Sequence, residues 1–398
     1  MAKNGCTAPK GFKASGVACG LKKNGNLDLA MVVSDKNASA AGIFTTNVVK
    51  GHSLKWTREK IKSGEARAIV INSGCANACL GERGDTDASS MASYAANLIG
   101  CKSDLIMLGS TGVIGSPLNM EKIESGIEQA YNLLSYDGGN FASKAIMTTD
   151  TFPKEASKSF TIGDKTITIG GMAKGSGMIH PNMATMISTI TTDIAISPTL
   201  LEKALKTVAD SSFNRISVDG DTSVCDQVVI MANGMAENIP VLSEGPEYHA
   251  FLSALLEVST TLAKMLAKDG EGATKLIEIR VENCKDRESA HLILNAIAKS
   301  PLIKTAMFGR DANCGRIITA AGYSGAEFDP DKVDIYLGDL LVYNNGIGLN
   351  FDEEKAAEIL KKDEIIITLN FKDGSVNDRM WTCDLTFDYV RINGSYRT

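Results

Sequence analysis

The sequence predicts a mixed α/β fold. Short β-branched runs ending in small residues alternate with segments of helical period. The alternating run Ser159-Phe160-Thr161-Ile162, the turn Gly163-Asp164 and the run Thr166-Ile167-Thr168-Ile169 also form a hairpin, which adds antiparallel sheet. At 398 residues the chain exceeds the usual single core, so two lobes, or one large core with an annex, are expected.

Taken in order, Ala66 to Asn72 is a β-branched run that delivers Ser73-Gly74, and Leu105 to Leu108 delivers Gly109-Ser110-Thr111-Gly112. Between them, residues 86–100 place Met91, Tyr94, Ala95 and Leu98 on one helical face. Helices are expected over 120–134 and around 142–147, followed by the hairpin and a strand over 186–195. Pro198 opens a helix with Leu201, Ala204, Leu205 and Val208 in period. A long amphipathic helix covers 247–268 and ends at Asp269-Gly270. From Lys275 the pattern becomes strand 276–281, helix 287–298, strand 333–341, helix 353–361 and strands 365–371 and 382–392. The expected division is a main domain, 1–274, and a smaller α/β lobe, 275–398.

Composition narrows the function. The apolar fraction of 44% and charged fraction of 22% are ordinary for a globular chain. A net charge of -6 and a pI near 5.4 argue against nucleic acid or an anionic membrane as the main partner, because a polyanion would be repelled. No apolar run approaches membrane-crossing length and the N-terminus lacks a signal-like core, so a cytosolic protein is expected. Nine scattered cysteines, of which only Cys75 and Cys79 are close, read as reduced thiols rather than a zinc site.

The stretch Gly170 to Gly177 invites a phosphate-loop reading, but its lysine precedes Gly175-Ser176 and no helix-forming segment follows, so neither glycine-rich template is met. A nucleotide-binding module remains a minor alternative. The same stretch runs through Ala184-Thr185 into a β-forming segment. A threonine there can attack the preceding carbonyl, and hydrolysis frees its own α-amine. That amine, with an ordinary pKa of roughly 7.7–8.0, can then act as base for the hydroxyl beside it. Residue chemistry alone leaves Thr149, Thr151, Thr189, Thr191 and Thr192 as equal candidates. The commonest role of such a threonine is a hydrogen bond to backbone.

The segment MAKGSGMIHPNMATM, residues 172–186, resembles the processing segment of the ornithine acetyltransferase (glutamate N-acetyltransferase) family, bifunctional enzymes of arginine biosynthesis. TAPKGFKASGVACGLKK, GIFTTNVVKG, AIVINSGCANACLGERGDTDA, STGVIG, TTDTFPK, SVDGDTS, DGEGATK, GRIITAAGYSGAEFDP and DYVRINGSYRT resemble further family segments in family order, over essentially the full length. The resemblance implies self-cleavage between Ala184 and Thr185, giving chains of 184 and 214 residues. Thr185 would then be the nucleophile that carries acetyl from N2-acetyl-L-ornithine to L-glutamate. Thr111 and Gly112 match the family's oxyanion-hole pair. Thr148, Lys174, Thr185, Glu271, Asn393 and Thr398 match substrate contacts, which brings the C-terminal tail back over the pocket.

The resemblance further implies an α/β/β/α-type layered sandwich with a smaller C-terminal α/β lobe, and two processed chains that stay together as a heterotetramer of two of each. No metal and no dissociable cofactor are expected, with acetyl-CoA admitted as a second acetyl donor. His180 and the acidic residues Asp219, Asp221 and Asp226 are read as loop structure. Cys75, Val224-Cys225 and Cys314 depart from the family pattern without touching a residue assigned to chemistry. A self-processing aminopeptidase of related architecture is the runner-up, disfavoured by DGEGATK and DYVRINGSYRT.

Overall fold

Strands that are apolar on both sides have to be covered on both faces, and the first of two compact units is built to do so. The computed structural model describes residues 5–180 and 186–395. They divide into Met1–Asn214 with Asp221–Leu266, and Arg215–Gly220 with Ala267–Thr398.

The first unit runs β1 (Phe12–Val17), β2 (Leu29–Phe44), α1 (His52–Lys60), β3 (Glu65–Cys75), α2 (Glu82–Ile99), β4 (Ile106–Val113), α3 (Met120–Asn132), α4 (Gly139–Ala145), β5 (Lys154–Ile162), β6 (Lys165–Lys174), β7 (Ile187–Thr192), α5 (Pro198–Ser211), β8 (Gln227–Ala232) and α6 (Pro246–Lys268). Its eight strands form one sheet in the order β4-β3-β2-β8-β7-β6-β5, with β1 also paired to β2. The 16-residue β2 serves two neighbourhoods. Residues 29–33 pair with β3, residues 39–44 pair with β8, and the register shifts between Val33 and Ala38. The polar Asp35-Lys36-Asn37 lies in that break, where the ladder is irregular and the side chains reach solvent.

On β2, β3 and β4 alternate residues enter two different cores. Met31, Val70 and Leu108 pack under α2 and α3 with Met91, Ala95, Ile123 and Ile127. Val32, Ile69, Ile71 and Met107 face the opposite way and meet Ala40, Met172, Ile187 and Met231 from the other half of the sheet. The sheet therefore folds at β2 into two stacked layers. Fully burying each large side chain in such a core contributes about 1.5–3 kcal/mol. Outside the second layer, α5 packs on β2, and Leu262 of α6 lies over Gly171 of β6. The result is the α/β/β/α layering that the family resemblance implied. At 23 residues α6, expected as an amphipathic helix over 247–268, is by length and composition apolar enough to cross a bilayer, contrary to the expectation that no apolar run approaches that length. Its Phe251, Leu255, Val258 and Leu262 are nevertheless buried, as in a core helix.

The second unit runs β9 (Leu276–Cys284), α7 (Arg287–Lys299), α8 (Pro301–Gly309), α9 (Cys314–Gly322), β10 (Asp334–Leu337), β11 (Leu340–Asn344), β12 (Ile347–Gly348), α10 (Glu353–Leu360), β13 (Glu364–Asn370), β14 (Val376–Cys383) and α11 (Phe387–Gly394). Its sheet order is β12-β11-β10-β13-β9-β14. The β13–β9 pair is parallel and its other pairs are antiparallel. Ile277, Ile279, Ile365 and Ile367 pack against Ile293, Ile297, Ile303 and Ile317 of the helices.

Three expectations need correction. The single strand over 333–341 is two, joined by a tight turn in which Gly338 has φ +58, a conformation that costs glycine little. The strand over 382–392 is the end of β14 followed by α11, whose N-cap Thr386 accepts a hydrogen bond from the Asp388 N–H. Finally, Ser73-Gly74 and Thr111-Gly112 are strand ends rather than loops, because they pair with each other across β3 and β4.

Candidate active site

The edge where β4 and β6 end gathers the first group of expected residues. Gly112 has φ +128, and a Cβ there would lie 2.4 Å from the Gly74 carbonyl carbon, so only glycine fits where the two strands meet. Behind this point runs a chain of buried hydrogen bonds. Ser110 Oγ donates to Asn72 Oδ1 at 2.6 Å, Asn72 Nδ2 donates to the Cys75 carbonyl at 2.9 Å, and the Ser53 and Ser110 hydroxyls lie 2.7 Å apart. Such a network fixes the backbone at Thr111 and Gly112.

Lys174 closes β6 and is paired with Ile187, the first residue of β7. Its side chain is buried, and its Nζ donates to Thr111 Oγ1 at 3.3 Å. No carboxylate lies at ion-pair distance from it among the described residues. Gln227 stitches the same edge across the two layers. Its backbone N–H donates to the Met186 carbonyl at 2.9 Å, and its Nε2 donates to the Leu108 carbonyl at 2.8 Å. Ala184 and Thr185 lie outside the described residues. Met186, next in the chain after Thr185, is buried.

Thr148 joins this group through Asp150. One carboxylate oxygen of Asp150 accepts the Thr148 N–H at 2.9 Å. The other accepts the Gly175 N–H at 2.7 Å and Lys154 Nζ at 2.7 Å. The side chains of Asp150 and Lys154 are fully shielded from solvent. Burial alone would raise the Asp150 pKa. The ammonium groups of Lys154 and Lys174, with these hydrogen bonds, outweigh it and hold the carboxyl well below the usual range. Asp150 thus fixes Thr148 and the residue after Lys174 to one buried charge.

Lys22 lies against the same strand ends. A Cβ on Gly74 would be 3.4 Å from Lys22 Cγ, and Lys22 Nζ donates to the Leu27 and Met147 carbonyls, each at 2.7 Å. The turn that carries it is pinned by buried Asp28, which accepts the N–H groups of Cys19, Leu21 and Lys22. Sequence reasoning missed Lys22, Asp150, Lys154 and Gln227. Three of them sit inside family-like motifs, Lys22 in GLKK and the acid and lysine in TTDTFPK, yet burial and the partners it brings, which the sequence does not show, give them a role.

The second unit holds the remaining expected residues. Glu271 is buried, and its Oε2 accepts Asn393 Nδ2 at 2.7 Å. The Thr386 hydroxyl donates to the Gly272 carbonyl at 2.7 Å. In this way α11 docks on the Glu271-Gly272 turn rather than fraying. Thr398 lies outside the described residues. The Tyr389 hydroxyl donates to Asp219 Oδ2 at 3.3 Å. In the first unit the His180 carbonyl accepts the Thr222 hydroxyl at 2.9 Å. Among the described residues no three of histidine, cysteine, aspartate and glutamate form a metal cluster.

The glycines considered for phosphate binding are elsewhere employed: Gly170 and Gly171 are interior residues of β6, paired to β5 and β7. The departures Cys75 and Val224-Cys225 fall in one neighbourhood. Cys225 Sγ donates to the Ala76 carbonyl at 3.4 Å, and Ala76, Ala78, Val224 and Cys225 form a small core. All nine cysteines are free thiols.

Comparison with known proteins agrees with the geometry. An "Arginine biosynthesis bifunctional protein ArgJ" from Symbiobacterium thermophilum is 49% identical over 396 residues, covering 99% of this chain and 98% of that protein. The protein of the same name from Caldanaerobacter subterraneus subsp. tengcongensis is 51% identical over 394 residues, covering 98% of each. The crystal structure of an arginine biosynthesis bifunctional protein from Bacillus halodurans superposes with a TM-score of 0.50 at 44% identity, covering 52% of this chain and 97% of that one. Residues 13–398 match the ArgJ family, and the chain belongs to that family.

Proposed function

We propose that the protein is a self-processed acetyltransferase of arginine biosynthesis that moves acetyl from N2-acetyl-L-ornithine to L-glutamate through an ester on Thr185. The observation that carries this reading is the buried Lys174 ammonium on the Thr111 hydroxyl, beside left-handed Gly112. A cation for a substrate carboxylate thus adjoins a strand end suited to donating hydrogen bonds to an oxyanion.

In this reading the Ala184-Thr185 bond is cut first, freeing the Thr185 α-amine. The Thr185 hydroxyl, its proton taken by that amine, attacks the acetyl carbonyl. Donors at Thr111 and Gly112 hold the tetrahedral oxygen, and the ornithine nitrogen leaves with the proton. The glutamate amine then attacks the ester by the reverse sequence, so kinetics are ping-pong and no dissociable cofactor enters. Thr148 and Lys174 orient the substrate α-carboxylate end. Glu271, tied to Asn393, takes the side-chain ammonium of ornithine, and Thr398 contributes a further substrate contact. Acetyl-CoA serves as a second donor to glutamate. The working enzyme is cytosolic, with two copies of each processed chain.

The Bacillus halodurans chain supports the cut. It is matched over 97% of its length by 52% of this one, the size expected for the longer product. Thr185→Ala tests the reading. We expect one uncut chain by intact mass and no acetyl transfer, while a cut and active variant would overturn it.

A further inference from the structure

Lys174 is a buried cation with no carboxylate at ion-pair distance among the described residues, and burying a charge is costly until a partner arrives. Lys22 is half-buried and likewise poorly partnered. Its Nζ spends two hydrogen bonds on the Leu27 and Met147 carbonyls. An ammonium has three donors, and Lys22 too lacks an ion-pair carboxylate among the described residues.

Its position is fixed from three sides. Asp28 pins its backbone. Gly74, ladder partner of Gly112, lies against its stem. Met147, the neighbour of Thr148, receives its head group. The Lys174 ammonium is near enough to act on it electrostatically. Lys22 beside Gly74 and Lys174 on Thr111 thus flank the same paired strand ends, with Asp150 already engaged by Lys154, and form a cradle for an anionic group.

We infer that Lys22 is a second substrate-binding cation that, with Lys174, grips the α-carboxylate common to acetylornithine and glutamate. The inference rests on the proposed acetyl transfer and adds to it a residue that reads charge on both substrates. Binding in a partly buried two-lysine cradle makes the carboxylate, rather than the acyl chain, the feature that admits a substrate.

Substrate charge and titration separate this role from a merely structural one. Burial, aided by the Lys174 ammonium and opposed by the carboxylates of Asp28 and Asp150, brings the Lys22 pKa down to about 8. Among the described residues these three are the charged groups that act on it, Asp28 just ahead of β2, Asp150 after α4 and Lys174 at the end of β6. The preference for a charged substrate therefore falls as pH rises through that value. The Thr185 amine titrates in the same region, but it cancels in a ratio between two donors.

The experiment compares kcat/KM for N2-acetyl-L-ornithine and its α-carboxamide in the processed enzyme, in Lys22→Met and in Lys22→Arg. We expect Lys22→Met to lower the acid-to-amide ratio about tenfold or more, the value of one charge-assisted hydrogen bond. Lys22→Arg should keep the ratio and remove its decline above pH 8. Equal losses on acid and amide in Lys22→Met, or an unchanged ratio, would overturn the inference. Calorimetric titration with L-glutamate decides the point without turnover, with binding expected to weaken about tenfold in Lys22→Met; unweakened binding counts against Lys22. Absence of transfer in the wild type would remove the functional reading while this titration still judges Lys22.

Discussion

Asp150→Asn should be the most damaging conservative change in the first unit. The substitution keeps shape and leaves an acceptor for Gly175, but it removes the charge opposite Lys154, whose side chain is fully shielded from solvent. Breaking one partner of a buried pair costs about 3–5 kcal/mol, because the other charge stays buried and uncompensated. At roughly 2–4 °C per kcal/mol for a unit of this size, Tm should fall by about 6–20 °C. Removing both charges in Asp150→Asn/Lys154→Met should recover most of that loss, since no bare charge remains.

Acid adds a second signature. Asp150 is held ionised below the ordinary carboxylate value, so its contribution is complete above about pH 4 and drains away as pH falls further. Thermal melts from pH 7 to pH 3 on wild type, single and double variants make the comparison. A single variant within about 1 kcal/mol of wild type, or a double as damaged as the single, would refute the reasoning.

Gly112→Ala should displace the β3–β4 end, because its Cβ would meet Gly74 backbone at 2.4 Å. We expect steady-state transfer to fall about 10²–10³-fold, the effect of losing one oxyanion donor. Glu271→Gln should raise KM for acetylornithine by about tenfold or more through loss of a charge-assisted bond, measured against an unchanged melting profile. Gln227→Ala removes the link from β8 to the Leu108 carbonyl. Intact-mass time courses should show slowed self-cleavage.

Much of the fold is legible because burial imposes periodicity. The helix opening at Pro198 announces itself by proline at its first position, with Ser197 capping the Leu200 N–H. The hairpin through Gly163-Asp164 reads directly from alternation. The misread segments fail for physical reasons. In Tyr336-Leu337-Gly338-Asp339-Leu340-Leu341 the apolar residues flank a two-residue turn and look continuous. After Cys383, helix and strand compete over Phe387 to Asn393, and contacts with the Glu271-Gly272 turn decide for helix. The long β2 escapes notice because its two halves belong to different layers.

At the proposed site, Thr111, Gly112 and Lys174 are named by the resemblance of their motifs to the family's, whereas their support is not legible. Lys22 acts on a carbonyl 125 positions away, and Gln227 on one 119 positions away. No local pattern encodes either contact. Asp150 and Lys154 are close in sequence, but nothing in TTDTFPK shows that they are buried.

The most direct test of the central claim is to mix processed enzyme with N2-acetyl-L-ornithine in the absence of glutamate, quench in acid, and map the acetyl group by peptide mass spectrometry. The account predicts one acetyl on the hydroxyl of an N-terminal Thr185, lost when glutamate is added before the quench. An enzyme that turns over with no acetyl on Thr185, or with the acetyl on another residue, would contradict it.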